Sequence, residues 1–521
     1  MTCVTDLASG GGELAGRHFL VRAFYLRAIA FIYFMAFLSL ANQLPGLFGE
    51  HGLLPAREFL AQVRASLGST QAGFAELPSL FWLHVSDGAM GFLCEVGLAL
   101  ALLGLLGCGH GSLYLALWAL YMSFVHIGQL FYQYGWESLL LEAGLLAAFL
   151  APWRGARALS PSSPPSWIVI LLLRWLMFRM MLGSGLIKLR GEPCWRDWTC
   201  LMFHFETQPQ PNPLSWYFHH LPAWVLKGGV LFNHVAELAA PWFIFAPRRL
   251  RHGAGAIFAI FQVLLILSGN LSWLNWLTLA LCIPCFDDAA LRFLAPRALR
   301  QRLGELARAA TSPSRWRHAV PLVLAALVAW RSVEPVRNLF SQEQVMNGSY
   351  DALHFVNTYG AFGSVGRERL EIVLLGSDAP APDQEDGWRE FGFKAKPGDP
   401  RRRPPFIAPY QNRLDWQLWI AVQFHGRNPP YPLQAWMVRL IYKLLRGERE
   451  VRALLGDSPF GDKPPRFMRA DLYQYRFTRP GEDPGSWWKR EFVANYLPPL
   501  SLESPGLRRF LEPLGWWEGP P

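Results

Sequence analysis

Long apolar stretches recur through the first 335 positions of the chain, centred on residues 19–41, 88–107, 112–131, 135–152, 167–187, 222–245, 253–268, 271–286 and 318–334. A helix crossing a bilayer needs about 20 predominantly apolar residues, and most of these stretches approach that length. A soluble core does not need so many. The spacing predicts a polytopic α-helical membrane bundle of about nine helices, the two shortest stretches being candidates for a partial hairpin. Charged residues make up 17% of the chain, below the roughly 25% of soluble domains, and the deficit falls in this region. The first stretch is too long for a cleavable signal core and has no small-residue cleavage site after it. It is expected to be an uncleaved signal anchor behind a tail at 1–18.

Orientation follows from arginine placement, because short cytosolic loops collect Arg and Lys. Arg17, Arg22 and Arg27 lie at the start of the chain, Arg154 and Arg157 between the fourth and fifth stretches, and Arg248, Arg249 and Arg251 between the sixth and seventh. A further cluster from Arg292 to Arg317 precedes the ninth. Nine crossings with a cytosolic N-terminus put all of these on the cytosolic side. Loops 42–87 and 188–221 and a C-terminal domain at 340–521 are then outside, which leaves 19–339 as the transmembrane domain. The net charge of +10 is thus a topology signal; no basic stripe, finger or aromatic RNP pattern accompanies it, which argues against nucleic acid.

Beyond Val345 the periodicity changes to alternation. Leu353–Tyr359, Arg369–Leu375, Trp388–Lys394 and Arg466–Phe477 read as strands, and Pro432–Arg446 has helical spacing. The expectation is a soluble, β-rich α+β domain, sandwich-like, with helical decoration.

Charges inside spanning stretches are costly and need partners. At 1.5 Å per residue, Glu142 and Arg179 lie roughly 11 and 12 Å below the outer boundary, and Arg174 and Glu237 roughly 20 and 22 Å below it. Two ionic layers are predicted: Glu142–Arg179 with Glu95 nearby, and Arg174–Glu237. Such pairs commonly fix the register of a bundle; a buried reaction or transport site is the competing reading. His234 and Glu237 share a helix face at a spacing that binds metal when a second pair exists, and none does. Lys188, beside Gly183-Ser-Gly185, is either a snorkelling lysine or a desolvated base.

In the loop after Lys188, Cys194 and Cys200 have a spacing compatible with a local disulfide in an oxidising compartment. His204, His219 and His220 keep a metal site as the alternative there. Asn347-Gly-Ser349 and Asn270-Leu-Ser272 are glycosylation sequons, the second too close to the membrane to be a good acceptor.

Several unusual stretches resemble one family. Gly185-Leu-Ile-Lys-Leu-Arg-Gly191, CWRDWTC, FHFETQPQPNP, SGNLSWLNWLT, VNTYGAFGS, FKAKPGDPRRRP and Pro409-Tyr-Gln-Asn-Arg-Leu-Asp-Trp416 are similar to segments of the lipase maturation factors, nearer to the first vertebrate paralogue than to the second. The likeness runs from about residue 24 to 503. It implies a multi-pass endoplasmic reticulum protein that assists folding and assembly of secreted dimeric lipases, with no catalytic activity and no cofactor. It also implies a lumenal C-terminal domain that engages the client. Tyr359, Phe362, Arg413, Asp415, Trp416 and Trp419 are the candidate client contacts, with Arg413 and Asp415 also readable as a buried pair. A bacterial source would place the same domain in the periplasm, above an inner membrane.

No nucleophile elbow, P-loop, HExxH or dinucleotide fingerprint is present in the sequence. The membrane part is distantly similar to that of the vitamin K-dependent carboxylase group. That likeness sustains a second reading, a membrane enzyme or carrier built on Lys188 and the intramembrane charges.

Overall fold

A computed structural model describes residues 17–161, 163–308, 315–423 and 434–519. Most of the tail 1–18, with Cys3, and the start of the helix expected from Pro432 lie outside the described residues.

Helices α1 (Phe19–Ala41), α2 (Asp87–Leu105), α3 (Gly111–Ile127), α4 (Gly135–Leu150) and α5 (Trp167–Arg190) follow the first five apolar stretches. The sixth is interrupted. Helix α6 (Ala223–His234) continues as a π segment, Val235–Ala239, and then a 3-10 segment, Ala240–Phe245. Pro241 brings no N–H and crowds the preceding turn, so the α ladder cannot pass through it. Helices α7 (Arg248–Ser268), α8 (Leu274–Cys282) and α9 (Arg315–Arg331) complete the bundle.

Among the described residues, five helices have the length and apolarity to cross a membrane: Phe19–Ala41, Asp87–Leu105, Trp167–Arg190, Arg248–Ser268 and Ala319–Phe340. The expected count of about nine is therefore not met by helix length, because α3, α4, α6 and α8 are shorter or broken. The short helices are not peripheral, however. Nearly every residue of α4 is buried, its two carboxylates included, as in a helix enclosed on all sides by neighbours.

The helix ends gather in two polar layers. In one, the Asp288 carboxylate accepts from the backbone N–H groups of Phe19, Leu20 and Val21 at 2.7, 2.8 and 3.3 Å. These donors have no partner within α1, so a carboxylate from the far end of the bundle's sequence caps its first helix. Beside it Arg248 pairs with Asp287 at 2.5 Å, Arg22 donates to the Ala158 carbonyl at 2.7 Å, and Arg174 donates to that of Pro284 at 2.8 Å. The starts of α1 and α7 thus meet at one end, together with the arginine-bearing loops. At the opposite end Ser39 donates to Gln411, Gln129 to Leu54 and Asn270 to Pro405. There the C-terminal domain is seated.

That domain opens with a short antiparallel pair, β1 (Gly348–Ser349) and β2 (Asn357–Thr358). A four-stranded antiparallel sheet follows in the order β4-β3-β5-β6, from β3 (Arg369–Ser377), β4 (Trp388–Glu390), β5 (Phe467–Phe477) and β6 (Trp488–Leu500). Alternation along β3 turns Ile372 and Leu374 to the main core. Val373 and Leu375 turn the other way, to a cluster with Tyr475, Phe477 and Trp488. Helices α10 (Arg413–Val422) and α11 (Ala435–Leu445) contribute to the main core, while Trp216 of loop 188–221 packs against the second cluster. The described residues thus hold one larger sheet with helices, not the sandwich-like pair of sheets expected. Its expected strands over 353–359 and 388–394 contract to β2 and β4, and α10 and β6 were not anticipated.

Replacing Asp288 with Ala should destabilise the bundle by about 2 kcal/mol, through loss of the carboxylate that caps the α1 N-terminus. Thermal unfolding of the detergent-purified protein, followed by tryptophan fluorescence, would show a lowered midpoint. Asp288→Asn should fall less, since one acceptor oxygen remains.

Candidate functional site

Two buried carboxylates on α4 organise the junction between bundle and C-terminal domain. Glu142 meets the Arg179 guanidinium of α5. The same carboxylate accepts from the Asn357 backbone N–H and side-chain amide, both at 3.1 Å, and from the Tyr359 hydroxyl at 2.7 Å. Arg179 in turn donates to the Asn357 carbonyl at 2.7 Å. The predicted upper pair is thus a three-way joint that includes the C-terminal domain. Glu95 does not take part, because it faces the exposed side of α2 while its neighbour Cys94 faces α1.

Five residues earlier, roughly 7.5 Å up the helix, Glu137 repeats the arrangement. It accepts from Arg413 at 2.7 Å, from the Trp136 indole at 2.9 Å and from the Tyr121 hydroxyl. Arg413 also donates to the Phe131 carbonyl at 2.6 Å and lies over the Tyr132 ring, 3.4 Å from its centroid. Asp415 is buried too, but it is not the partner of Arg413. Residues two apart on a helix point to different sides. Asp415 instead accepts from the backbone N–H groups of Ala395 and Lys396 at 2.6 and 3.0 Å.

The predicted lower layer does not form. Arg174 donates to the Pro284 carbonyl at the arginine-rich end of the bundle, whereas Glu237 pairs with Lys188. Lys188 and Arg174 are fourteen residues apart on α5, roughly 21 Å, so Glu237 cannot serve both. The depth assigned to Glu237 assumed that the sixth stretch begins level with the others. Its pairing with Lys188, near the C-terminal end of α5, shows that α6 starts higher.

Lys188 and Glu237 line a cavity of about 720 Å³ between the bundle and the C-terminal domain. The lysine ammonium reaches both Glu237 oxygens at 2.6 Å and the Asn233 side-chain amide oxygen at 3.1 Å, and it lies 5.0 Å from the Trp195 ring centroid. His234 points elsewhere and donates to the Trp195 carbonyl at 2.9 Å, so it does not join Glu237 as a ligand pair. Cys194 and Cys200 are disulfide-bonded, closing the turn that carries Trp195. Trp195 donates to the Phe362 carbonyl at 2.9 Å.

The candidate client residues are not free surface. Arg413, Asp415, Trp416 and Tyr359 are buried, and Phe362 and Trp419 are half-buried. Tyr359, Phe362, Trp416 and Trp419 line the cavity instead. Asn347 is exposed, its amide lying against Gly360, as a sequon asparagine must be if it is to be modified. Asn270 is fully buried and ties Pro405, Ile407 and Ala408 to the turn between α7 and α8. Glu137, Asn233 and Asn275 went unrecognised in the sequence. The one available signal is that α4 carries two acidic residues while the depth argument supplies a partner for Glu142 alone.

Apolar helices that bury a cavity, with the C-terminal domain seated on one end of the bundle, define a multi-pass membrane protein whose two parts pack as one structural unit. The chain matches the lipase maturation factor transmembrane domain over residues 20–293 and the lipase maturation factor C-terminal domain over residues 355–498. It is 44% identical to Lipase maturation factor 1 of Bos taurus over 96% of its own length and 92% of that protein's, and likewise 44% identical to that of Homo sapiens, over 96% and 91%. Lipase maturation factor 2 of Mus musculus is 33% identical over 94% and 84%. The chain belongs to the lipase maturation factor family. No solved structure matches it.

Arg413→Ala strands Glu137 and should destabilise the junction by about 3–5 kcal/mol. Limited proteolysis should then release fragments of the C-terminal domain at protease levels the parent withstands. The double change Arg413→Met with Glu137→Leu should recover much of that loss. The pH dependence has a separate source. His204, packed edge-on against Phe362, has its pKa lowered from 6.5 to about 4 by burial and by the charge of Lys188. Between those values the unfolded chain binds a proton that the folded protein does not, so stability falls as pH drops from about 6.5 toward about 4. At pH 5 the His204 share of that loss is about 2 kcal/mol, read as the difference between the parent and His204→Asn in thermal unfolding.

Proposed function

We propose that the protein is a membrane-embedded maturation factor for lipases, acting on them as a folding partner without catalysing a covalent step. The similarity to Lipase maturation factor 1 carries this reading, because it spans both the bundle and the C-terminal domain. The secreted dimeric lipases are the proposed clients. The proposed location is the endoplasmic reticulum membrane, with residues 340–521 and loop 188–221 lumenal (periplasmic in a bacterium).

The polar layers support nine passes. Asp288 caps the start of α1, and its neighbour Asp287 holds the start of α7, so both helices leave the same end. Crossings by the five long helices alone, alternating in direction, would send α1 and α7 opposite ways. Counting α3, α4, α6 and α8 as passes restores the agreement. It also leaves the arginine-rich loops on the cytosolic end.

Burial of the Arg413 and Tyr359 segments moves the proposed client surface to the exposed outer strand. Among the described residues β6 pairs with β5 alone, and Phe492 and Val493 on it are 55% and 46% exposed. An edge strand with exposed apolar side chains is a template for extended, non-native chain. Lys188 gives the enzymatic alternative its one specific feature, a buried amine in a cavity. Its amine is already engaged by Glu237 and Asn233 and faces Trp195, so it is not free to meet a substrate in the cavity.

In cells lacking lipase maturation factors, co-expression of this chain with lipoprotein lipase should restore secreted lipase activity. Phe492→Asp combined with Val493→Asp should cut that activity severalfold at unchanged protein abundance. Inactive lipase with the parent chain would contradict the function, whereas full rescue by the double variant would contradict only the surface.

A further inference from the structure

The cavity beneath Trp416 and Trp419 has chemistry that anchoring the domain does not use. Its volume, about 720 Å³, falls within the range of about 300–1,000 Å³ typical of small-molecule sites. The space is open on one side, where the exposed residues Gln342, Glu343 and Met346 stand on its rim, so a ligand has a way in. The walls from α5 and α7 are largely apolar, with Met180, Met181, Phe261 and Leu265 among them. Water is a poor filler for such walls.

The polar groups are few and specific. Asn275 on α8 is 4% exposed, lines the cavity, and its side-chain N–H group has no hydrogen-bond partner in the protein. A buried amide donor left unsatisfied is uncommon and calls for an acceptor. Gln262, 3% exposed, lines the same space from α7. The buried ions there, Lys188 and Glu237, neutralise each other at 2.6 Å, and the two exposed charges on the rim, Arg190 and Glu343, are opposite in sign, so the described lining carries no net charge to favour an ionic head.

We propose that this cavity is a binding site for a single-chain neutral amphiphile, an apolar chain ending in an uncharged, hydrogen-bond-accepting head of the glycerol-ester or alcohol kind. The head accepts from Asn275, the chain lies along α5 and α7, and the indoles of the C-terminal domain close over it. The proposal goes beyond lipase maturation and does not depend on which client is bound.

The full-length protein in phosphatidylcholine nanodiscs is irradiated with monooleoylglycerol bearing a diazirine in its acyl chain, and the labelled peptides are mapped. Label is expected on the α5 and α7 residues that line the cavity. Excess unlabelled monooleoylglycerol should compete it away, and oleate at the same concentration should not. Asn275→Leu, which removes the unpaired donor, should weaken labelling about tenfold, the equivalent of one lost hydrogen bond. Leu265→Trp, which fills the space, should abolish it, and either variant that keeps the parent's unfolding temperature suffices. Label confined to the outward-facing Ile260, Val263 and Leu264, or cavity label that a folded variant leaves unchanged, overturns the site. Equal competition by oleate overturns the neutral head.

Discussion

Two carboxylates on one buried helix set the terms for the rest of the molecule. Glu137 and Glu142 of α4 are 1% and 2% exposed, and neither can remain ionised there without a cation and further donors. Arg179 comes from the bundle, but Arg413, Asn357 and Tyr359 come from the C-terminal domain. Bundle and domain therefore each complete the electrostatics of the other. A buried ion pair adds little net stability over a well-packed apolar substitute, yet breaking one by removing a single partner is severe. That asymmetry favours pairs where two elements must meet in one arrangement.

The remaining architecture follows from this joint. With Asn357 and Arg413 pinned to α4, the segments around them extend across the open end of the bundle. Tyr359, Phe362, Trp416 and Trp419 then stand over the space between α5, α7 and α8. Loop 188–221 is drawn in from the side: Arg369 donates to the carbonyls of Gln208 and Pro209, and Trp216 donates to the Thr478 carbonyl. The cavity is a product of docking rather than of either part alone. Aromatic residues that a sequence reading assigns to client contact serve as its lining.

Much of this was legible in the sequence, unevenly and for identifiable reasons. Apolar runs located α1 to α5 within a few residues, since an all-apolar stretch of that length has few other uses. Alternation located β3 and β5. It failed for β6, where Lys489, Arg490 and Glu491 and the Pro498-Pro499 pair mask an edge strand. The Glu142–Arg179 pair was found from helix depth, because both helices run uninterrupted. Depth misled at Glu237, where the π turn, Pro241 and a raised start upset the ruler. Pairings across hundreds of residues, such as Glu137 with Arg413 or Asp288 with the start of α1, leave no local pattern to read.

The central claim is that the segments around Asn357 and Arg413 belong to the same cooperative unit as the bundle core. Amide hydrogen exchange of the full-length protein in nanodiscs tests it directly. The account predicts that residues 356–363 and 411–418 exchange as slowly as α4 and lose protection together with it when denaturant is added. Fast exchange in those two segments while α4 stays protected would contradict it, because the C-terminal domain would then be resting on the bundle rather than locked into it.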